Sequence, residues 1–110
     1  VIEAPLRSAG VQISGRNENI VIRNLNTQHV YNDGFNIHGY CRGVVFENVS
    51  AVECGDDGIS AHDDCRIKVD GFTSIGNSTG YCHTNDSYSD SNRVLIRDCL
   101  GFDVFVLDTG

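Results

Sequence analysis

The sequence predicts an all-β chain, a right-handed parallel β-helix, and three observations carry the prediction. The chain matches itself at a shift of 24 residues (44 minus 20), its apolar residues alternate with a period of two, and no stretch shows helical periodicity. Ile20-Val21-Ile22-Arg23-Asn24-Leu25 lies over Val44-Val45-Phe46-Glu47-Asn48-Val49, and Asp33-Gly34-Phe35-Asn36-Ile37-His38 lies over Asp57-Gly58-Ile59-Ser60-Ala61-His62. A third copy runs from Ile67 to Tyr81 and a fourth starts at Val94, 27 residues after the third (94 minus 67). That excess predicts a loop insertion at about 83–92, a polar run rich in Ser, Asp and Asn. Gly10-Val11-Gln12-Ile13 supplies the opening half-coil.

In a parallel β-helix each coil stacks on the next at about 4.8 Å, so residues one repeat apart become vertical neighbours. Inward ladders are then expected at Ile20/Val44/Ile67/Val94, Ile22/Phe46/Val69/Ile96, Leu25/Val49/Phe72/Cys99 and Phe35/Ile59/Tyr81, with Asn24 stacked on Asn48 at a bend. The 110 residues form one domain, 1–110, of about four to five coils of roughly 24 residues. Neither end carries a polar cap, so the expectation is a partial domain with further β-helix coils in the same parent protein.

Charge narrows the partners. Fifteen acidic residues against eight basic ones give a net charge of −7, which repels phosphate backbones and anionic lipid, so neither nucleic acid nor a membrane surface is expected as partner. No run approaches the roughly 18 apolar residues of a membrane span. Five cysteines include one pair at coil spacing, Cys41 and Cys65. Strand spacing puts them inside the Cα window of a disulfide, and a stack of reduced thiols is the alternative. Three Asn-x-Ser/Thr triplets, at Asn48, Asn77 and Asn85, carry no weight in a chain this rich in Asn and Ser.

The chemistry concentrates in two segments one coil apart, NDGFNIHG and GDDGISAH. With Phe35, Ile37, Ile59 and Ala61 inward, alternation sends Asn36, His38, Ser60 and His62 to the outer face beside Asp33, Asp56 and Asp57. Asp33 and Asp57 become vertical neighbours, and His38 stands over His62. Close carboxylates either share a proton, as glycoside hydrolysis uses, or hold a cation such as calcium, or simply satisfy a turn. Asp33, Asp56, Asp57 and His62 are the candidate catalytic residues. Asn36, His38, Ser60 and Tyr40 are the candidate substrate-binding residues.

These segments resemble the pectin-lyase-like β-helix superfamily of carbohydrate-active proteins. Asn32-Asp33-Gly34 followed by Gly55-Asp56-Asp57 is similar to the motifs of polygalacturonase-type hydrolases, in which the aspartates act as general acid and water-activating base. The same residues resemble calcium-dependent pectate lyases with an Asp-Asp-Gly motif, which implies Asp33, Asp56 and Asp57 as calcium ligands. The hydrolases' Gly-His-Gly has no counterpart at Ser78-Thr79-Gly80, and the lyases' fourth aspartate falls at Ser60. The resemblance implies a secreted or periplasmic protein that acts on a polysaccharide, pectin or another uronate-containing glycan. Hydrolysis is favoured because the carboxylates it needs are present, whereas no lysine or arginine stands out as a base for elimination. Hydrolysis calls for no cofactor; a lyase would need calcium. A non-catalytic glycan-binding or adhesin-like β-helix is the alternative from another class.

Overall fold

The computed structural model describes residues 1–6 and 8–99; residues 100–110, the end of the expected 1–110 domain, lie outside the described residues. Among the described residues nine strands form: β1 (Ile2–Glu3), β2 (Ala9–Ile13), β3 (Arg16–Gln28), β4 (Asp33–Ile37), β5 (Tyr40–Val52), β6 (Asp57–Ala61), β7 (Asp64–Ile75), β8 (Thr79–His83) and β9 (Tyr88–Arg97). From β2 onward short and long strands alternate and each kind stacks on its own kind, with the two-residue β1 joining the long-strand sheet through β3. One sheet has the order β1-β3-β5-β7-β9 and the other β2-β4-β6-β8, with every pairing parallel. The result is a parallel β-solenoid of about four turns, and among the described residues no helix forms.

The register follows the repeat for the first coils. Ile20 pairs with Val44, Ile22 with Phe46 and Leu25 with Val49, and Phe35 pairs with Ile59 and then Tyr81. These columns make a continuous apolar core in which Phe35 meets Phe46 edge to face at 5.6 Å and Phe72 meets Tyr81 at 5.7 Å. Burial of these aromatic and β-branched side chains is the main force that stacks the coils.

The fourth coil departs from the expected register. Residues 88–92 are strand, not loop: β9 starts at Tyr88, so Ile67 pairs with Ser89, Val69 with Ser91 and Phe72 with Val94, a step of 22 (94 minus 72). Matching Val94-Leu95-Ile96 to the earlier apolar triplets therefore sets the strand too late, and the ladders ending in Val94, Ile96 and Cys99 are corrected accordingly. Two serines can stand on core columns because partners wait for them there. The buried Tyr81 hydroxyl lies 2.7 Å from Ser89 Oγ and 3.0 Å from Ser91 Oγ, and His83 Nε2 lies 3.0 Å from Ser89 Oγ.

Coil corners are made by residues in the left-handed region, stacked in columns. Asn24 (φ 55°), Asn48 (52°), Gly71 (85°) and Arg93 (54°) form one; His29 (52°), Glu53 (51°), Gly76 (69°) and Asp98 (57°) form another. The expected Asn24/Asn48 stack is present, with Asn48 Nδ2 donating to Asn24 Oδ1 at 2.8 Å. Glutamate gains nothing locally from this conformation, whereas asparagine tolerates it. Glu53→Asn is expected to raise stability by about 1 kcal/mol, because its exposed contact with His29 at 3.7 Å contributes little. A urea melt should show a higher midpoint at unchanged slope; an unchanged or lower midpoint would refute the corner account.

Candidate functional site

The aspartates owe their position to the glycines that follow them. A Cβ on Gly34 would come within 2.7 Å of Ala51 Cβ and Thr27 Oγ1, and one on Gly58 within 2.5 Å of Ser74 Oγ. Thr27, Ala51 and Ser74 form one buried column of the long-strand sheet, so β4 and β6 can approach it only with glycine at these places. Asp33 and Asp57, one residue earlier, are thereby set at the same point of successive coils. Asp56 sits in the turn before β6, where its N–H donates to Asn32 O at 3.0 Å.

One oxygen from each of Asp33, Asp56 and Asp57 lies within 4.8 Å of the other two. Asp33 is 3% exposed and Asp57 8% exposed, while Asp56 stands at the solvent edge. Asp33 is held from two sides: the Asp57 N–H donates to its Oδ1 at 3.1 Å, and the Asn36 amide donates to its Oδ2. Burial nevertheless pushes its carboxyl above the usual range. Asp57 is pushed up to about 6, first by burial and then by the neighbouring Asp56 and Asp33 carboxylates, with Ser60 and Thr79 pulling the other way. Asn36 Oδ1 is buried without a hydrogen-bond partner, beside this cluster. A buried carbonyl oxygen left unpaired among carboxylates is costly unless something else binds there.

The histidines stack as the repeat predicts. His38 and His62 lie 4.2 Å apart between ring centres, with planes 4° from parallel. His62 is anchored at both nitrogens, Nε2 at 2.7 Å from Ser60 Oγ and Nδ1 at 2.6 Å from Thr84 Oγ1, and burial lowers its pKa. His38 Nδ1 lies 3.7 Å from Asp63 Oδ2. Tyr40 is engaged elsewhere, between two cations: the guanidinium carbons of Arg16 and Arg42 lie 4.1 and 4.3 Å from its ring centre.

The structure thus brings Asp33, Asp56 and Asp57 together and places His62 and His38 alongside. Two expected outer-face residues need correction. Asn36 is 8% exposed and Ser60 2% exposed, so neither presents a free polar group to solvent. Asn36 is drawn onto Asp33, and Ser60 onto His62. Sequence reading missed Thr79 and Thr84. The signal was available: Asp57 pairs with Thr79 once the coil is read as 22 residues (79 minus 57), not 24. Asn77, which the sequence offers only as a chance glycosylation triplet, is fully buried, and its amide ties two coils together.

Among known proteins, no family model matches this chain, and no curated protein or solved structure matches it significantly. The fold and the site define a class, the parallel β-solenoid with a buried aspartate cluster on its short-strand sheet, and the function is argued from the site itself.

Proposed function

We propose that this solenoid is a carbohydrate-active protein that hydrolyses a polysaccharide, with Asp57 as general acid and Asp56 as the partner that activates water. The observation that supports this is the pairing of a buried carboxyl raised to about 6 with a second carboxylate at the solvent edge, inside one cluster 4.8 Å across. Different environments for two adjacent carboxyls are what separate acid from base in glycoside cleavage. Asp57 would protonate the departing glycosidic oxygen, and Asp56, nearer solvent, would take a proton from the attacking water. Asp33, fixed by the Asp57 N–H and the Asn36 amide, keeps its neighbour's pKa high and acts as a positioning residue. His62 and His38 supply a flat, polar rim for sugar hydroxyls. The resemblance to pectin-lyase-like hydrolases agrees with this assignment, and it carries with it a uronate-containing glycan as substrate and a secreted or periplasmic location.

The test is release of new reducing ends from a panel of uronate-containing and neutral polysaccharides by the full-length protein. Asp56→Asn is expected to lower turnover at least about 100-fold without any fall in melting temperature. If Asp56→Asn leaves turnover intact, the assignment fails. If no polymer is cleaved but several are bound, the glycan-binding alternative takes its place.

A second reading rests on Asn36 Oδ1. Three carboxylate oxygens and an orphaned amide oxygen are the hard donors that calcium selects, so the residues present fit the ion that the lyase resemblance implies. Asp33, Asp56, Asp57 and Asn36 would hold it, and there it would bind and polarise a substrate carboxylate. Under this reading, calcium at 100 times its Kd should stabilise the protein by about 2.7 kcal/mol, seen as a rise in melting temperature that chelator reverses. A melting temperature indifferent to both calcium and chelator removes it.

A further inference from the structure

We propose that Cys41 and Cys65 are joined by a disulfide in the oxidised protein, clamping the second coil to the third beside the histidine stack. The inference is independent of the proposed hydrolysis. Both residues are second in their strands, β5 and β7, and they are direct register partners in a parallel ladder. In-register partners stand about 4.8 Å apart, within the Cα separation of about 4.4 to 6.8 Å that disulfides adopt. Both are free thiols in this structure, and both are wholly buried.

Each sulfur reaches the backbone that flanks its partner: Cys41 Sγ donates to Arg66 O at 4.0 Å, beside Cys65. Cys65 Sγ donates to Gly39 O at 3.6 Å, across the coil boundary and next to Cys41. The neighbouring Cys65 thiol pulls the Cys41 thiol below its usual value, and Cys41 pushes that of Cys65 up. Just beyond the pair the register slips, since Cys41 pairs with Cys65 but Val44 pairs with Ile67, leaving the second coil one residue longer there. A covalent link at the last in-register rung would hold that irregularity in place. It would also fix the spacing of His38 and His62, each three residues upstream of its cysteine. The other cysteines have no such partner: Cys54 sulfur donates to Val52 O, Cys82 stacks on Ser60, and Cys99 sulfur lies by Ser74 Oγ.

The oxidant is a low-molecular-weight disulfide. The Cys41 thiolate attacks one of its sulfurs, forming a mixed disulfide and releasing one small thiol. Cys65 sulfur then attacks Cys41 sulfur, losing its proton and expelling the second small thiol. Two electrons and two protons pass from the protein thiols to the small disulfide, which becomes two thiols. Because the pair is buried, exchange takes place while the chain is still folding.

The experiment refolds the full chain in mixed oxidised and reduced glutathione, alkylates free thiols under denaturing conditions and maps the peptides. The expected result is three alkylated cysteines, at 54, 82 and 99, with a 41–65 cross-link. Closing a loop of this length should raise the melting temperature by about 10 °C over the reduced protein, and dithiothreitol should abolish the rise. The variant C54S/C82S/C99S, which keeps only the proposed pair, should lose all free thiols on oxidation, and C41S/C65S should show no response to dithiothreitol. Five alkylated cysteines in a cooperatively unfolding protein, or a cross-link between any other pair, would overturn the proposal.

Discussion

Asn77→Ala is expected to destabilise the protein by about 3 kcal/mol. Asn77 is fully buried, and its amide makes three hydrogen bonds. Its Oδ1 accepts from the Cys54 N–H at 2.8 Å, and its Nδ2 donates to Ala51 O at 3.0 Å and to Ser74 Oγ at 2.7 Å. Two of these partners are backbone groups of the coil below, near the corner where the chain leaves the long strand. Alanine would strand both away from water, and the cost is the desolvation of orphaned groups more than the lost bonds themselves. The melting temperature should fall by roughly 10 to 20 °C. Asn48→Ala is the control, since Asn48 is exposed and its one side-chain bond runs to Asn24. Asn77→Ala melting within about 3 °C of the parent would show that water replaces the amide and that the corner is open. The same burial excludes glycosylation of Asn77 in the folded protein.

Asp57→Asn is expected to do two opposite things, and their combination separates a functional aspartate from a turn residue. Turnover of any cleaved glycan should fall at least about 100-fold, because asparagine cannot donate the proton. Stability should rise where Asp57 is ionised. The sign follows from linkage. The folded carboxyl titrates at about 6, above its ordinary 3.8, so the native state binds the proton more tightly than the unfolded chain. The stability this contributes is fully present below about pH 4 and is lost as pH rises through about 6. Above pH 6 a buried, repelled charge remains, worth about 3 kcal/mol, and asparagine removes it while keeping an oxygen for Ser60 and Thr79. The variant should therefore melt higher than the parent at pH 8 and equal to it at pH 4. If Asp57 serves only the turn, Asp57→Asn should show the same pH-dependent gain in stability while leaving turnover unchanged. Activity of the parent should fall as pH rises through about 6, since the acid must hold its proton.

Much of this architecture is legible before any coordinates. The repeat at 24 residues, with apolar residues every second place, leaves few alternatives to stacked parallel coils, because each coil buries its apolar face only on its neighbours. The Phe35/Ile59/Tyr81 column, the Asn24/Asn48 rung, the Asp33/Asp57 juxtaposition and the His38/His62 stack all follow from that period. The approach of the three aspartates follows from it as well, since two segments far apart in sequence become adjacent rungs.

The fourth coil could not be read the same way. Apolar matching is blind to a core column that continues through hydroxyls: Ser89 is buried and Ser91 half-buried because the Tyr81 hydroxyl meets both and a His83 ring nitrogen meets Ser89. The glycine of each Asp-Gly pair has its cause in the opposite sheet, where Thr27, Ala51 and Ser74 leave no room for a Cβ. Asn36 and Ser60 alternate outward as the period requires, but Asp33 and His62 draw their side chains in and bury them. Sequence by itself determined the coil, the inward columns up to the third coil and the meeting of Asp33, Asp56 and Asp57, because periodic burial is a one-dimensional pattern. Tertiary structure alone decided the length of the last coil, the burial of the polar face and the raised proton affinity of Asp57. Those depend on distances between side chains in different coils and on their removal from water, which no spacing along the chain encodes.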